Sequence, residues 1–255
     1  MPTLTSSDHQ AAVAAETARF VAVVRDADLT TEVPSCPGWT LTDLVRHAGS
    51  VHRWFARLLE QRIQQPPTSR EVDLQLPADP ADYPDWLARS AEVAARAFAG
   101  TEADAAMWAW GADQHARFWA RRMLFETLVH RVDAELALGL VPAVDGALAA
   151  DGVDEFLVNL PYAGLFAKGV AELRDTGRTI RFRATDQDGD WTVQLRTDGF
   201  GLVDPADHGA PDASVQGTAA DLLLLAYGRL RPADARLATA GDQHLLDHWF
   251  AHSAF

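Results

Sequence analysis

Up to about residue 145 the hydrophobic pattern is helical throughout, and beyond it strand-like alternation joins the helical segments, so no single layer of secondary structure can satisfy both parts. Before that point apolar side chains recur every three to four residues, which gathers them on one face of a helix. After it, TIRFRAT (179–185) and WTVQLRT (191–197) alternate apolar and polar residues, the period of a strand with one buried face. A helix stripe and a strand face need different partners to hide them from water. The expected class is therefore α+β: an all-helical N-terminal domain over residues 1–145, joined to a smaller α+β domain over 146–255. With 255 residues, 48% of them hydrophobic, the chain can build real cores without external staples.

The N-terminal spacing predicts four helices. The first runs from Asp8 to about Asp26, with Ala12, Ala15, Phe20 and Val23 at helical spacing. TTEVPSCPGW (30–39) then interrupts with two prolines and a glycine, after which Thr40 can cap a second helix and Asp43 can meet its unpaired amides. Leu44, Val51, Phe55 and Leu58 form the stripe of that helix, which is expected to reach about Gln64, ahead of Pro66 and Pro67. Five of the thirteen prolines fall between 66 and 84, marking a loop long enough to be expected over a pocket. A third helix spans Asp85 to about Ala99, and the fourth, from about Asp113 to Leu138, is closed by Gly139 and Pro142.

VPAVDGALAADG reads as a linker. Beyond it, helical segments are expected at Val153–Leu160 and Phe166–Leu173, then a hairpin turning at DQDGD with Ile180, Phe182, Trp191, Val193 and Leu195 on its inner face. A short strand at 214–216, a helix capped by Thr218 with Asp221 three residues on, and a last helix in GDQHLLDHWF complete the reading.

Charge and motifs remove several functional classes. A formal net charge of -14 opposes binding to nucleic acid and to anionic membranes. The longest apolar run, around LLLLAY (222–227), is far short of the roughly 20 residues of a membrane span, and the first twenty residues carry no basic leader. A single cysteine, Cys36, excludes an intrachain disulfide framework, and a cytoplasmic protein is expected. There is no GxGxxG, no phosphate-gripping loop and no HExxH.

His47 sits between Leu44 and Val51 on an apolar stripe, where an imidazole needs a partner. By itself it reads as a core histidine with one hydrogen bond. Glu126 and His130, four residues apart in RMLFETLVHRVD, share a face of the fourth helix, yet such pairs also occur on ordinary helix surfaces. The three together are more informative, because a bundle can bring one histidine against a Glu/His pair and offer two nitrogens and a carboxylate. That set suits zinc with a position left open, while nickel, iron and manganese accept the same ligand types.

Other residues read more plainly. His52 is rotated off the face of His47, which puts it behind the ligands or at the surface. Asp133, three residues beyond His130, can orient a ligand but is expected at the surface, and Arg121 and Arg122 read as a solvated helix face. Cys36 reads as a small buried side chain in a tight turn, and Trp54, Trp108, Trp110 and Trp119 as core filling.

CPGWTLTDLVRHAGSVHRW (36–54) and FETLVHRVDAELALG (125–139) resemble the metal-binding core of the mycothiol-dependent maleylpyruvate isomerase family, one of the DinB-like helical bundles. DEFLVNLP (154–161) and GTAADLLLLAYGRL (217–230) resemble that family's C-terminal domain, which is similar to a sterol-carrier module. The resemblance implies a four-helix bundle with a divalent metal, usually zinc, on residues matching His47, Glu126 and His130. It also implies mycothiol as the small thiol, held as a thiolate at the metal, and a C-terminal arginine that assists catalysis, placed at Arg229 with Arg236 as the alternative. The expected function is a metal-dependent enzyme using this thiol on a small electrophile, as S-transferase or cis–trans isomerase, with maleylpyruvate isomerase proper as one alternative. A non-catalytic module that senses a metal or thiol and binds a protein is the other. A purely structural role for the histidines stands against all of these.

Overall fold

The computed structural model describes residues 4–68 and 72–254, which form two compact units, Leu4–Ala143 and residues 144–254. The first unit contains α1 (Ser6–Val24), α2 (Leu41–Gln61), α3 (Tyr83–Ala99) and α4 (Ala116–Ala137). Both α1 and α2 begin with a reciprocal capping box, Thr5 with Asp8 and Thr40 with Asp43, so four otherwise unpaired polar groups are satisfied locally. Arg62 closes α2 in the left-handed conformation (φ 44°), a little short of the Gln64 expected from the prolines. α3 starts at Tyr83 with Pro84 in its first turn, where a missing N–H costs nothing. α4 starts at Ala116, not Asp113, because His115 is bridged to Ala106 in an extended pair and Asp113 binds the Arg117 side chain.

Phe20, Val24, Leu41, Leu44, Val45 and Leu87 form a fully buried cluster that joins α1, α2 and α3. Elsewhere in the bundle Trp119 is buried against Phe55, Phe118 and Trp108. Of the four tryptophans expected to fill the core, Trp110 and Trp119 are buried, whereas Trp54 and Trp108 are half-buried at its edge. The proline-rich loop is pinned to α2 and α3: Leu74 O accepts from Trp86 Nε1 at 2.7 Å, and Gln75 accepts from Arg53. Ser69, Arg70 and Glu71 of that loop lie outside the described residues.

In the second unit, α5 (Gly146–Asn159) begins within the expected linker, seven residues before Val153, because Asp145 caps it by accepting from the N–H groups of Ala147 and Leu148. The alanines that read as a break in periodicity are helix formers once a cap is in place. Two 3₁₀ turns, Leu160–Leu165 and Lys168–Glu172, replace the helix expected at Phe166–Leu173, a stretch punctuated by Pro161, Gly164 and Gly169.

A five-stranded sheet follows in the order β3-β2-β1-β4-β5, formed by β1 (Thr179–Ala184), β2 (Asp190–Arg196), β3 (Gly199–Val203), β4 (Ala213–Gly217) and β5 (Ala238–Gly241). β1 and β2 are the expected hairpin, with Ile180 opposite Val193 and Phe182 opposite Trp191. All five side chains assigned to its inner face are 5% exposed or less. β4 runs parallel to β1, which it reaches only after β2 and β3, through the connection 204–212. Thr218 caps α6 (Ala219–Ala226), as its hydroxyl and Asp221 foretell, and α7 (Gln243–His252) lays Trp249 against Phe182 and Phe200. Among the described residues no helix is long and apolar enough to cross a membrane.

Candidate metal centre

α2 carries His47 and α4 carries Glu126 and His130, and the bundle brings the three side chains together across 79 residues of sequence. His47 Nε2 lies 3.2 Å from Glu126 Oε1, and His130 Nε2 lies 3.6 Å from the same oxygen. The two imidazoles meet edge to face with centroids 4.9 Å apart. One ligand atom from each residue falls within 4.8 Å of the others. Ligands bound at zinc distances in a tetrahedron stand roughly 3.4 Å apart, so this N₂O set fits a divalent cation with little movement. Side-chain exposures of 34% for His47, 25% for Glu126 and 13% for His130 leave one side open to an incoming group.

The local electrostatics favour a cation. Burial pushes the Glu126 carboxyl up, but hydrogen bonds from His130 and His47 and the charge of Arg122 outweigh it and hold the group well below the usual carboxylate range. Burial disfavours the charged His130 ring, yet its bonds to Asp133, Cys36 and Glu126 outweigh that cost and raise the imidazole well above its ordinary value. Positive charge is thus stabilised between Glu126 and Asp133 even when a proton alone supplies it.

The surrounding shell departs from the sequence reading in three places. Asp133 is fully buried, not at the surface: it receives His130 Nδ1 at 2.8 Å and the Ser35 hydroxyl at 2.6 Å, with Cys36 Sγ at 3.5 Å. Arg122 is also buried, with Nη2 3.3 Å from Glu126 Oε2. Cys36 is half-buried beside Asp133, where its thiol is a polar neighbour more than an apolar filler. His52 lies behind the ligands, 1% exposed, and donates from Nε2 to the Thr127 hydroxyl oxygen at 2.8 Å.

Trp39, from the loop before α2, was given no role by spacing, yet its ring stands 5.0 Å from that of His47 and 6.2 Å from that of His130. The available signal was its place in PGW, one residue before the cap of the helix that carries His47. Arg229 follows α6 in the second unit and donates from Nη1 to Tyr227 O at 2.6 Å. Arg236 is engaged by Asp234 and Asp221.

A second donor set shares His130: Cys36, His130 and Asp133 also offer ligand atoms within 4.8 Å of one another. One imidazole presents one lone pair when neutral, so the two sets compete for opposite edges of the same ring.

Comparison with known proteins agrees with this architecture. Residues 10–135 match the family model described as the mycothiol maleylpyruvate isomerase N-terminal domain, and residues 147–248 match the MDMPI C-terminal domain. Two solved structures, of the mycothiol-dependent maleylpyruvate isomerase and of a histidine-to-alanine mutant of it, superpose with a TM-score of 0.62 over 93% of this chain and 93% of theirs. Their identities of 15% and 14% make that a likeness of fold. A sequence search of curated proteins finds no match. With both domain models matched in order over 10–135 and 147–248, the chain belongs to the mycothiol-dependent maleylpyruvate isomerase family, a family of enzymes.

Proposed function

We propose that the protein is a cytoplasmic, metal-dependent cis–trans isomerase that uses a small thiol, mycothiol, on an electron-poor alkene, with maleylpyruvate as the first substrate to test. The observation that carries this reading is the convergence of the partly exposed His47, Glu126 and His130, in a chain whose two domains both match that family. Family membership favours isomerisation over the S-transfer that the sequence reading placed beside it.

His47, Glu126 and His130 would hold the cation, and two nitrogens with one carboxylate favour zinc. Such an ion supplies a thiolate from the bound thiol at neutral pH, the nucleophile that adds to and leaves the alkene as it isomerises. The protein's own part is to prepare that place. Arg122 sets its guanidinium beside Glu126, Asp133 accepts from Nδ1 of His130, and Trp39 walls both imidazoles on the side of the loop. Arg229 is the proposed catalytic residue, receiving the negative charge that develops on the substrate. Arg236, engaged by Asp234 and Asp221, is the alternative.

The test is incubation of the purified protein with mycothiol and maleylpyruvate, following cis and trans isomers, and in parallel with haloalkanes and epoxides, following S-conjugates. Thiol-dependent formation of the trans isomer without net thiol consumption is expected, with a loss of roughly a hundredfold or more in kcat for Arg229→Ala. Stoichiometric conjugate formation with no isomerisation would replace the reading by transfer. Metal binding without turnover on any substrate would replace it by sensing.

A further inference from the structure

His130 has a nitrogen on each edge of its ring, and the described residues place donors at both. Nε2 faces Glu126 and His47, whereas Nδ1 faces Asp133 and Cys36. Which edge carries a proton decides which set can hold an ion. Asp133 occupies the decisive position. Its Oδ2 lies 2.8 Å from Nδ1, and its Oδ1 accepts from the Ser35 hydroxyl at 2.6 Å. The carboxylate is completely buried, so it cannot turn away to find water. An ionised carboxylate only accepts, and its partner at Nδ1 must then be an N–H.

We propose that Asp133, held by Ser35, is a positioning residue: it keeps a proton on Nδ1 of His130, so that Nε2, facing Glu126 and His47, is the nitrogen that gives up its proton to a cation. The inference rests on the reading of those three residues as ligands of a divalent cation. It adds that the competing Cys36–His130–Asp133 set stays unused because Asp133 is committed as an acceptor. Carboxylates that orient metal-bound histidines in this way fix both the tautomer and the basicity of the ring. Ser35 and Trp39 come from the same loop, so one segment sets the edge of His130 and buttresses its face.

The experiment titrates the metal-free full-length protein with Co²⁺ against a competing chelator and reads affinity together with the electronic spectrum. Wild type is expected to bind Co²⁺ without thiolate-to-cobalt charge-transfer absorption. Asp133→Asn, whose amide has the same shape but can donate to Nδ1, is expected to bind roughly ten- to a hundredfold more weakly while thermal unfolding stays cooperative. A packing role would be met equally well by the amide, so unchanged Co²⁺ affinity in the folded variant overturns the proposal. A charge-transfer band in wild type that disappears in Cys36→Ser also overturns it, since the ion would then lie on the Nδ1 edge. If Asp133→Asn does not fold, Ser35→Ala carries the test: a severalfold loss of affinity supports the proposal and unchanged affinity overturns it. Wild type that binds no Co²⁺ would remove the underlying metal reading itself.

Discussion

Arg131 and His130 are adjacent in α4 and serve different ends. His130 faces Glu126 and His47, whereas Arg131 is wholly buried, its Nε 2.8 Å from Glu16 and its Nη1 2.6 Å from Glu135. Arg19 also reaches both carboxylates, 3.0 Å from Glu16 and 3.8 Å from Glu135, but from an exposed position; replacing Arg131 by Met leaves them only that partner, a loss on the order of 3 kcal/mol of stability by urea unfolding. A change below about 1 kcal/mol would show that solvent reaches the pair. His52 gives a pH signature. Burial, against a weaker opposing pull from Glu126, lowers its pKa from 6.5 to about 4. The unfolded chain therefore takes up a proton that the folded chain refuses, and the stability tied to the neutral ring is full above about pH 6.5 and lost as pH falls toward 4. That amounts to about 3 kcal/mol, so the stability difference between wild type and His52→Asn should shrink between pH 7 and pH 4. Parallel stability–pH curves for the two proteins would contradict this. The sequence made His47, Glu126 and His130 legible because face geometry and chemistry agreed there. Asp133 and Arg122 were misread because α4 packs on nearly every side, and helical period does not tell which polar residues of such a helix are covered.

Helix starts were readable because caps are local: a side-chain oxygen and an acidic residue three positions on suffice at Thr40 and Thr218. The end of α2 and two of the short strands were not. α2 ends through the left-handed Arg62, an event without a glycine to announce it, and β3 (GFGLV) and β5 (ATAG) are too short or too small in side chain to show alternation. The close approach of α2 and α3 yields a sharper prediction. Gly49 lies under the Trp86 ring, and an added Cβ would come within 2.3 Å of it. That ring is fixed by its bond to Leu74 O, so it has little room to yield. Gly49→Ala gains about 1 kcal/mol of helix propensity and loses more to overpacking, for a net destabilisation of about 1–3 kcal/mol in chemical unfolding. A variant more stable than wild type would mean that α2 and α3 separate freely.

At the scale of the whole molecule, the helical unit and the α+β unit each bury apolar side chains of their own. The candidate ligands all lie in the helical unit, in segments 79 residues apart, while the proposed catalytic arginine lies in the other. The proposed function requires that α2 and α4 share one cation. Elemental analysis of the full-length protein, purified without added metal, tests it most directly when wild type and His47→Ala are compared. About one equivalent of a divalent metal, zinc foremost, is predicted in wild type, falling to a small fraction in His47→Ala while circular dichroism shows the helices intact. A metal-free wild type, or undiminished metal in folded His47→Ala, would contradict the account.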